Sequence, residues 1–254
     1  MKAISFEISG KTAIFKKPDV NSYAYFTYNN IHKPALLGIL GAIIGLDGYT
    51  KLYDENRKAK EEKTGFNDGF PDYYEKLKDL KVSIVPLAKN GYFSKKIQTF
   101  NNSVGYASQE LGGNLIVREQ WLENPKWQII ILENETEEYK KIKEYLLNKK
   151  AVYIPYLGKN DHFANINFVK EINLSVSENL DTLDSLFIED YFEIADSAGR
   201  RVLPFMFKEI SPITLQKDFH FYEYKSMIFT NQKLNLKKEF KDIYFFEEKN
   251  YFFF

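Results

Sequence analysis

The sequence predicts an α+β fold, because strand-like and helix-like segments succeed one another in a recognisable order in its N-terminal part. Residues 4–9 alternate apolar and polar side chains, the period of two that is typical of a half-buried strand. Residues 35–46 are helix-like, residues 126–132 are strand-like, and residues 139–146 repeat apolar side chains at helical spacing. The full order is strand, helix, strand, strand, helix, strand, which is the ferredoxin-like (RRM-like) split βαβ pattern.

The first helix is the most distinctive segment. From Ala35 to Leu46 every residue is aliphatic or glycine, and Pro34 suits the first turn because its missing N–H would be unpaired there anyway. A helix of this length spans roughly 20 Å, which is too short to cross the ~30 Å hydrocarbon core of a bilayer. We therefore expect a buried helix and no membrane partner.

Three glycines of this helix share one stripe. Gly38, Gly41 and Gly45 lie three and four residues apart, the spacing of neighbours on one helix face. Each glycine costs about 1 kcal/mol relative to alanine in a helix interior. A repeated cost of that size predicts close docking of the helix, and we expect a sheet as its partner.

The start of the helix predicts an anion site. His32 and Lys33 precede Pro34, and only Asn30 is a plausible capping side chain. Free N–H groups and the helix dipole together favour a phosphate at such a position. The alternative is that His32 is an ordinary surface residue at the end of a loop.

The segments after the helix complete the predicted order. We expect residues 51–63, which are mostly charged, to form a surface excursion without chemistry. Strand 81–88 should lie at a sheet edge or have Pro86 near its end, because proline cannot donate to a ladder. Residues 92–114 are rich in Asn, Ser and Gly and predict a projecting arm. The remaining predicted elements are a short helix over 72–80, strands at 92–100 and 115–122, a hairpin of 115–122 with 126–132 through Asn124 and Pro125, a helix opened by Asn134 and Glu137 with a Tyr139, Ile142 and Leu146 stripe, and a strand at 151–156.

The C-terminal third predicts further strands. Residues 171–199 contain eight acidic and no basic residues, whereas residues 81–109 contain four basic and no acidic ones. Apolar and polar residues then alternate from Arg200 onward, which predicts a β-rich region, and we expect the aromatic residues 252–254 to be packed. The predicted domains are residues 1–174 and 175–254.

The composition excludes several classes of site. There is no cysteine and there are three scattered histidines, so we expect no disulfide, no metal site and no cofactor. The 35 basic and 35 acidic residues balance, which argues against general electrostatic coating of nucleic acid. We expect a reducing, cytoplasmic location and no N-terminal leader.

Two stretches nevertheless have the composition of an RNA surface. Lys16 and Lys17 lie close to Tyr23, Tyr25 and Tyr28, and such interleaving of basic and aromatic residues can bind phosphates and stack bases. Its alternative is an aromatic strand within a sheet. The turn at 156–166, which contains Gly158 and Lys159, could likewise present a basic residue and backbone N–H groups, or be an ordinary turn.

Four segments in order carry a family resemblance: SGKTAIFKKPDVNSY, HKPALLGILGAIIGLDGY, VREQWLENPKWQIII and YLGKND. With them the chain resembles the Cas five family of CRISPR-associated RAMP proteins, and its type I-B Cascade subunit in particular. The resemblance covers about the first 170 residues, and the glycine-containing helix is its most specific part.

The resemblance implies a non-catalytic Cascade subunit in antiviral DNA interference. Such a subunit has a ferredoxin-like RAMP domain with a β-hairpin thumb, here at about 92–122, and a β-rich C-terminal sheet. It binds the 5′ handle of the CRISPR RNA, contacts the Cas seven backbone subunit and the Cascade large subunit, and meets target DNA through the complex. The expected RNA-binding residues are Lys16, Lys17, Asn21, His32, Lys33, Lys95, Lys96, Tyr106, Arg118, Gly158 and Lys159.

One branch of the same family cuts precursor CRISPR RNA without metal, using Tyr, Lys and His. Tyr28, His32 and Lys33 are the matching residue types near one another here. A second Lys-His pair is absent from the hairpin region, where that branch would carry it. We therefore expect no enzymatic activity, with the endoribonuclease as the alternative. A structural protein-interaction module is a third interpretation, supported by the zero net charge and the aromatic C-terminal residues.

Overall fold

The computed structural model describes residues 1–19, 23–65, 67–106, 109–178, 180–195 and 203–254. Its helices are α1 (Lys33–Ile44), α2 (Tyr49–Glu62), α3 (Asp72–Leu77) and α4 (Glu137–Leu147). Its strands are β1 (Lys2–Ser9), β2 (Thr12–Ala13), β3 (Val82–Pro86), β4 (Lys95–Asn101), β5 (Ile116–Glu123), β6 (Lys126–Leu132), β7 (Asn165–Asn173), β8 (Ser175–Val176), β9 (Phe187–Ile188), β10 (Phe192–Ile194), β11 (Met206–Leu215), β12 (Tyr222–Thr230), β13 (Leu234–Leu236), β14 (Ile243–Phe246) and β15 (Lys249–Phe252).

A four-stranded sheet forms the centre of the N-terminal part. Its order is β3-β6-β1-β7, and each neighbouring pair is antiparallel. Ile4, Phe6 and Ile8 of β1 are buried in one core with Leu36 and Leu40 of α1, which confirms the predicted strand and the buried helix. The edge position of β3 within this sheet is confirmed too. The charged segment predicted as a surface excursion forms α2, a helix without buried residues.

The predicted strand over 151–156 is wrong, and β7 is the last strand of the sheet. The N–H groups of Val152 and Tyr153 donate instead to the Ile43 and Ala42 carbonyl oxygens at the end of α1. Those carbonyls have no partner within their own helix, so the segment stabilises the helix terminus rather than a sheet.

The predicted hairpin of 115–122 with 126–132 is also wrong. Strand β5 pairs with β2 and β4, whereas β6 pairs with β1 and β3, so the two strands belong to different sheets. The chain turns between them at Asn124, which has φ 47° and donates its N–H to the Lys11 oxygen, while the Gly10 N–H donates to Pro125. The chain therefore passes from one sheet to the other twice at the same place, once between β1 and β2 and once between β5 and β6.

Gly38 and Gly41 of the glycine stripe face Tyr73 and Gly45 faces Val152, so the expectation that the stripe docks on a sheet is corrected. A Cβ on Gly41 would lie 2.6 Å from Cβ of Tyr73 in α3, which explains the glycine at that position. Gly45 ends α1 as a C-cap with φ 81°, a conformation that glycine adopts without strain. The helix thus ends two residues earlier than its apolar composition suggests.

The C-terminal part consists of short antiparallel sheets, as the alternation predicts. β11 and β12 form the longest pair, and β9 pairs with β12. Phe252, Phe253 and Phe254 are buried, so the expected packing of these residues is confirmed. Phe254 exchanges two backbone hydrogen bonds with Val82 beside β3.

Among the described residues no single helix is long and apolar enough to cross a membrane. Taken together, α1 and α2 have the length and apolar composition of a membrane-crossing segment, but they are bent by 81° at the break between them.

Candidate nucleic-acid interface

The start of α1 carries its own cap, which corrects the expectation of free first-turn N–H groups. His32 is the N-cap residue, and its Nδ1 accepts the Ala35 N–H at 3.3 Å. Asn30, the capping residue that the sequence suggests, instead accepts the Trp127 indole N–H at 2.9 Å. An anion therefore cannot use the whole first turn without displacing the His32 side chain.

His32 is a buried neutral histidine. It is 4% exposed and makes edge-to-face contacts with Phe15, Tyr28 and Tyr222, at ring separations of 5.2–6.0 Å. Burial lowers the pKa of His32 to about 3, so its ring carries no charge at neutral pH. Because Nδ1 accepts a hydrogen bond, Nε2 carries the proton. Burial likewise raises the pKa of Tyr28, which stays protonated.

Lys33 turns away from the surface. Its Nζ donates to the backbone oxygen of Phe254 at 3.1 Å, and burial lowers its pKa to about 8. Tyr28 and His32 are in ring contact, but Lys33 is bound elsewhere. The three residue types of the endoribonuclease alternative are therefore not assembled into one polar group.

The predicted RNA-binding residues of the arm divide between two faces of one hairpin. β4 and β5 pair from Lys95 opposite Leu122 to Asn101 opposite Ile116. Directly opposed residues share a face, and successive residues alternate between faces. One face, here the Lys96 face, carries Lys96, Phe100, Glu119 and Trp121, and the other, the Lys95 face, carries Lys95, Thr99, Arg118 and Leu122.

On the Lys96 face a buried carboxylate organises the side chains. Glu119 is 6% exposed and accepts hydrogen bonds from Lys159 Nζ at 3.1 Å and from the Trp121 indole at 2.9 Å. Lys159 Nζ also lies 5.3 Å from the centre of the Phe100 ring. Trp121 packs edge-to-face on His162 at 4.7 Å. Lys159 is thus positioned on this face, with part of its charge balanced by Glu119.

A carboxylate binds the backbone just before the start of α1. Both Glu209 oxygens accept the Asn29 N–H, at 2.9 and 3.0 Å, and one accepts the Asn30 N–H at 3.4 Å. Burial raises the pKa of Glu209, while these N–H groups, Lys17 and Lys95 act in the opposite direction. Lys17 and Lys95, both predicted to bind phosphate, therefore act electrostatically on an internal carboxylate that lies 180 positions from Asn29 along the chain.

Lys16 lies next to a large cleft. Its Nζ lies 3.5 Å from the centre of the Tyr25 ring, a cation–π contact. Lys16 also lines an open cleft of about 1180 Å³ over the exposed side of α1. The aromatic residues that line this cleft are Phe15, His32, Tyr49, Tyr73, Tyr153, Tyr156, Phe219, His220 and Tyr222.

The other predicted residues take different positions. Gly158 lines the cleft and has φ 90°, Tyr106 is 79% exposed in the loop between β4 and β5, and Arg118 lies 4.9 Å from the Tyr23 ring. Asn21 lies outside the described residues.

Sequence reasoning missed most of the cleft. Tyr49 lies just before the charged excursion, Tyr73 lies in the short helix after it, and His220 and Tyr222 come from the C-terminal region. Burial raises the pKa of Tyr49 to about 12. The unusual number of tyrosines, 18, was the one available signal, and it does not say which of them meet.

Comparison with known proteins identifies the fold. No protein-family model matches the sequence, and no curated protein matches it. A chain of a CRISPR RNA-guided surveillance complex superimposes with a TM-score of 0.51 at 11% identity, covering 92% of this chain and 91% of that chain. A CRISPR protein from Archaeoglobus fulgidus superimposes with a TM-score of 0.50 at 14% identity, covering 99% and 98%. The chain has a fold found in CRISPR-associated proteins.

Proposed function

We propose that the chain is a CRISPR RNA-binding subunit of an RNA-guided effector complex, of the Cas five type. The observation that carries the proposal is the surface from Lys96, Phe100 and Lys159 to Lys16 and the aromatic cleft. Cations on aromatic rings beside an aromatic cleft suit a single strand, whose phosphates need cations and whose bases stack on any π face. The shared fold with a chain of an RNA-guided surveillance complex supports the same function.

The bound segment is the 5′ handle of the CRISPR RNA. An end that is not paired with target keeps its bases free for stacking, while pairing along the guide reads the target sequence. Sequence selection on DNA then belongs to the RNA, and this subunit holds its end. The order β3-β6-β1-β7, with antiparallel neighbours, supports classifying the central sheet as a ferredoxin-like RAMP domain.

The β4–β5 hairpin is the proposed thumb. Its connecting loop exposes Val104, Tyr106 and Leu111, and Ile97 and Ile116 on the strands are about half exposed. Apolar side chains at the end of a projecting hairpin suit a protein partner better than water. The partner we assign to this tip is the Cas seven backbone subunit, with the large subunit contacting another surface.

Binding without cleavage is the expected activity. His32 has a pKa of about 3, so an imidazolium that could protonate a leaving oxygen is scarce at neutral pH, and Lys33 is bound to Phe254. We expect the purified protein, incubated in EDTA with a repeat-containing precursor RNA, to retain that RNA and leave it intact. RNA bound by the protein in cells should end in a defined repeat-derived 5′ sequence.

The matched control is His32→Asn, because asparagine preserves the N-cap and removes the imidazole. Specific cleavage by the wild type that disappears in His32→Asn would contradict the binding function and support the endoribonuclease. Failure of the wild type to retain any RNA would contradict both functions.

A further inference from the structure

We propose that the cleft over α1 holds one unstacked nucleobase of the bound RNA, with Gly38 as part of its floor. This inference rests on the RNA-binding function proposed above. It adds a specific subsite and assigns a reason to a glycine that folding does not require.

Gly38 has no structural explanation of the kind that Gly41 and Gly45 have. A Cβ on Gly38 would meet only Cε2 of Tyr73, at 3.8 Å, which is an ordinary van der Waals distance. Its φ is helical, so alanine fits the backbone there. Since glycine in a helix interior costs about 1 kcal/mol relative to alanine, stability alone would favour replacement. Gly38 lines the cleft, where a side chain would occupy space that a ligand could use.

The walls of the cleft fit a flat unsaturated ring. Tyr49 contacts Tyr73 edge-to-face at 6.5 Å and His220 at 5.7 Å, which forms one connected aromatic group. A second group, Tyr153 and Tyr156, comes from the segment that binds the end of α1. Aromatic side chains from separate elements around one space are the usual surroundings of a base taken out of its stack.

Polar groups at the cleft fit the edge of a base. Asp47 and Lys51 form an ion pair of 2.6 Å there, and Asp54 also lines the cleft. Carboxylates accept from the N–H groups of a base edge, and an ammonium donates to its ring nitrogens and carbonyl oxygens. Lys16 lies at the cleft and on Tyr25, so the strand that supplies the base can continue onto the Lys96 face.

Three variants that narrow the cleft floor test the subsite, and a fourth is a packing control. Gly38→Ala should melt at or above the wild-type temperature, because alanine is the better helix former, while its methyl group should weaken protection of the base by occupying part of the cleft floor. Gly38→Leu should fill the cleft floor, and Ala42→Leu, one turn along on the same lining face, should do so independently. Gly41→Ala is the packing control, since its Cβ would overlap Tyr73 and should lower the melting temperature.

The readout is a footprint of base edges in the 5′ handle RNA, using dimethyl sulfate and a carbodiimide. With the wild type, one base should be protected, and with Gly38→Ala its protection should be weaker. With Gly38→Leu and Ala42→Leu, the same base should regain its reactivity. The RNA should still bind, with a loss of affinity of at most about tenfold. An unchanged footprint with folded Gly38→Leu and Ala42→Leu would overturn the subsite and leave RNA binding intact. A wild type that binds no RNA would overturn both.

Discussion

Gly158→Ala is expected to destabilise the protein by about 3 kcal/mol or more, because the added Cβ would clash with backbone atoms. Gly158 has φ 90°, and an added Cβ would overlap the carbonyl oxygen of Ile14 and lie 2.7 Å from its carbonyl carbon. Neither atom can rotate away as a side chain could. Ile14 is tied to the same turn, since its N–H donates to the Leu157 oxygen at 3.1 Å. The turn that contains Gly158 and the segment that contains Ile14 must therefore move apart.

Thermal and urea unfolding measure this effect. For a chain of this size, a loss of about 3 kcal/mol corresponds to a fall in melting temperature on the order of 10 °C. Gly105→Ala is the matched control, because its Cβ would meet nothing within 4 Å. Equal melting temperatures for the two variants would contradict the close approach. The sequence suggests that Gly158 presents its N–H to phosphate, whereas the structure gives a steric reason for the glycine.

Removing the tip of the hairpin is expected to abolish assembly with the backbone subunit without unfolding the protein. Asn101 and Ile116 are directly opposed, so an Asn-Gly turn can replace residues 102–115 and close the ladder. Val104, Tyr106 and Leu111 are exposed, so their loss removes little from the core.

Co-purification with the Cas seven backbone subunit, beside a melting curve, tests this change. A full-length control that carries Val104→Ser, Tyr106→Ser and Leu111→Ser should lose assembly as well, if apolar contacts hold the partner. Normal assembly of the shortened protein would contradict the thumb function, and its aggregation would contradict the independence of the tip from the core.

Local patterns predicted the central sheet well and its surroundings less well. β1 follows from the alternation of apolar and polar residues, because side-chain direction alternates in strands, and α1 follows from its unbroken aliphatic and glycine composition after Pro34. The failure at 151–156 has a different cause, since Val152 and Tyr153 are strand formers that the open carbonyls of α1 bind instead.

The binding surface could be predicted only in part. The sequence shows the clustering of Lys16 and Lys17 with the tyrosines. It does not show that strand alternation places the neighbouring Lys95 and Lys96 on opposite faces of the β4–β5 hairpin. Glu209 comes from the C-terminal region to bind the Asn29 N–H, and no local pattern brings a carboxylate to a residue so distant in sequence. His32 as an N-cap was not expected, because histidine is not among the preferred capping residues.

We expect RNA to follow the Lys96 face into the cleft and not the Lys95 face. The most direct measurement is handle-RNA affinity as a function of salt for two double variants, Lys16→Ala with Lys96→Ala, and Lys17→Ala with Lys95→Ala. Both remove two positive charges, so a general charge effect is the same in each. We expect the first pair to flatten the slope of log K against log salt by about 1.4, since each phosphate contact of a single strand contributes about 0.7. The second pair should leave the slope unchanged, because both lysines are half-buried and lie near Glu209, whose pKa they lower. Equal losses, or a larger loss for Lys17 and Lys95, would contradict the account.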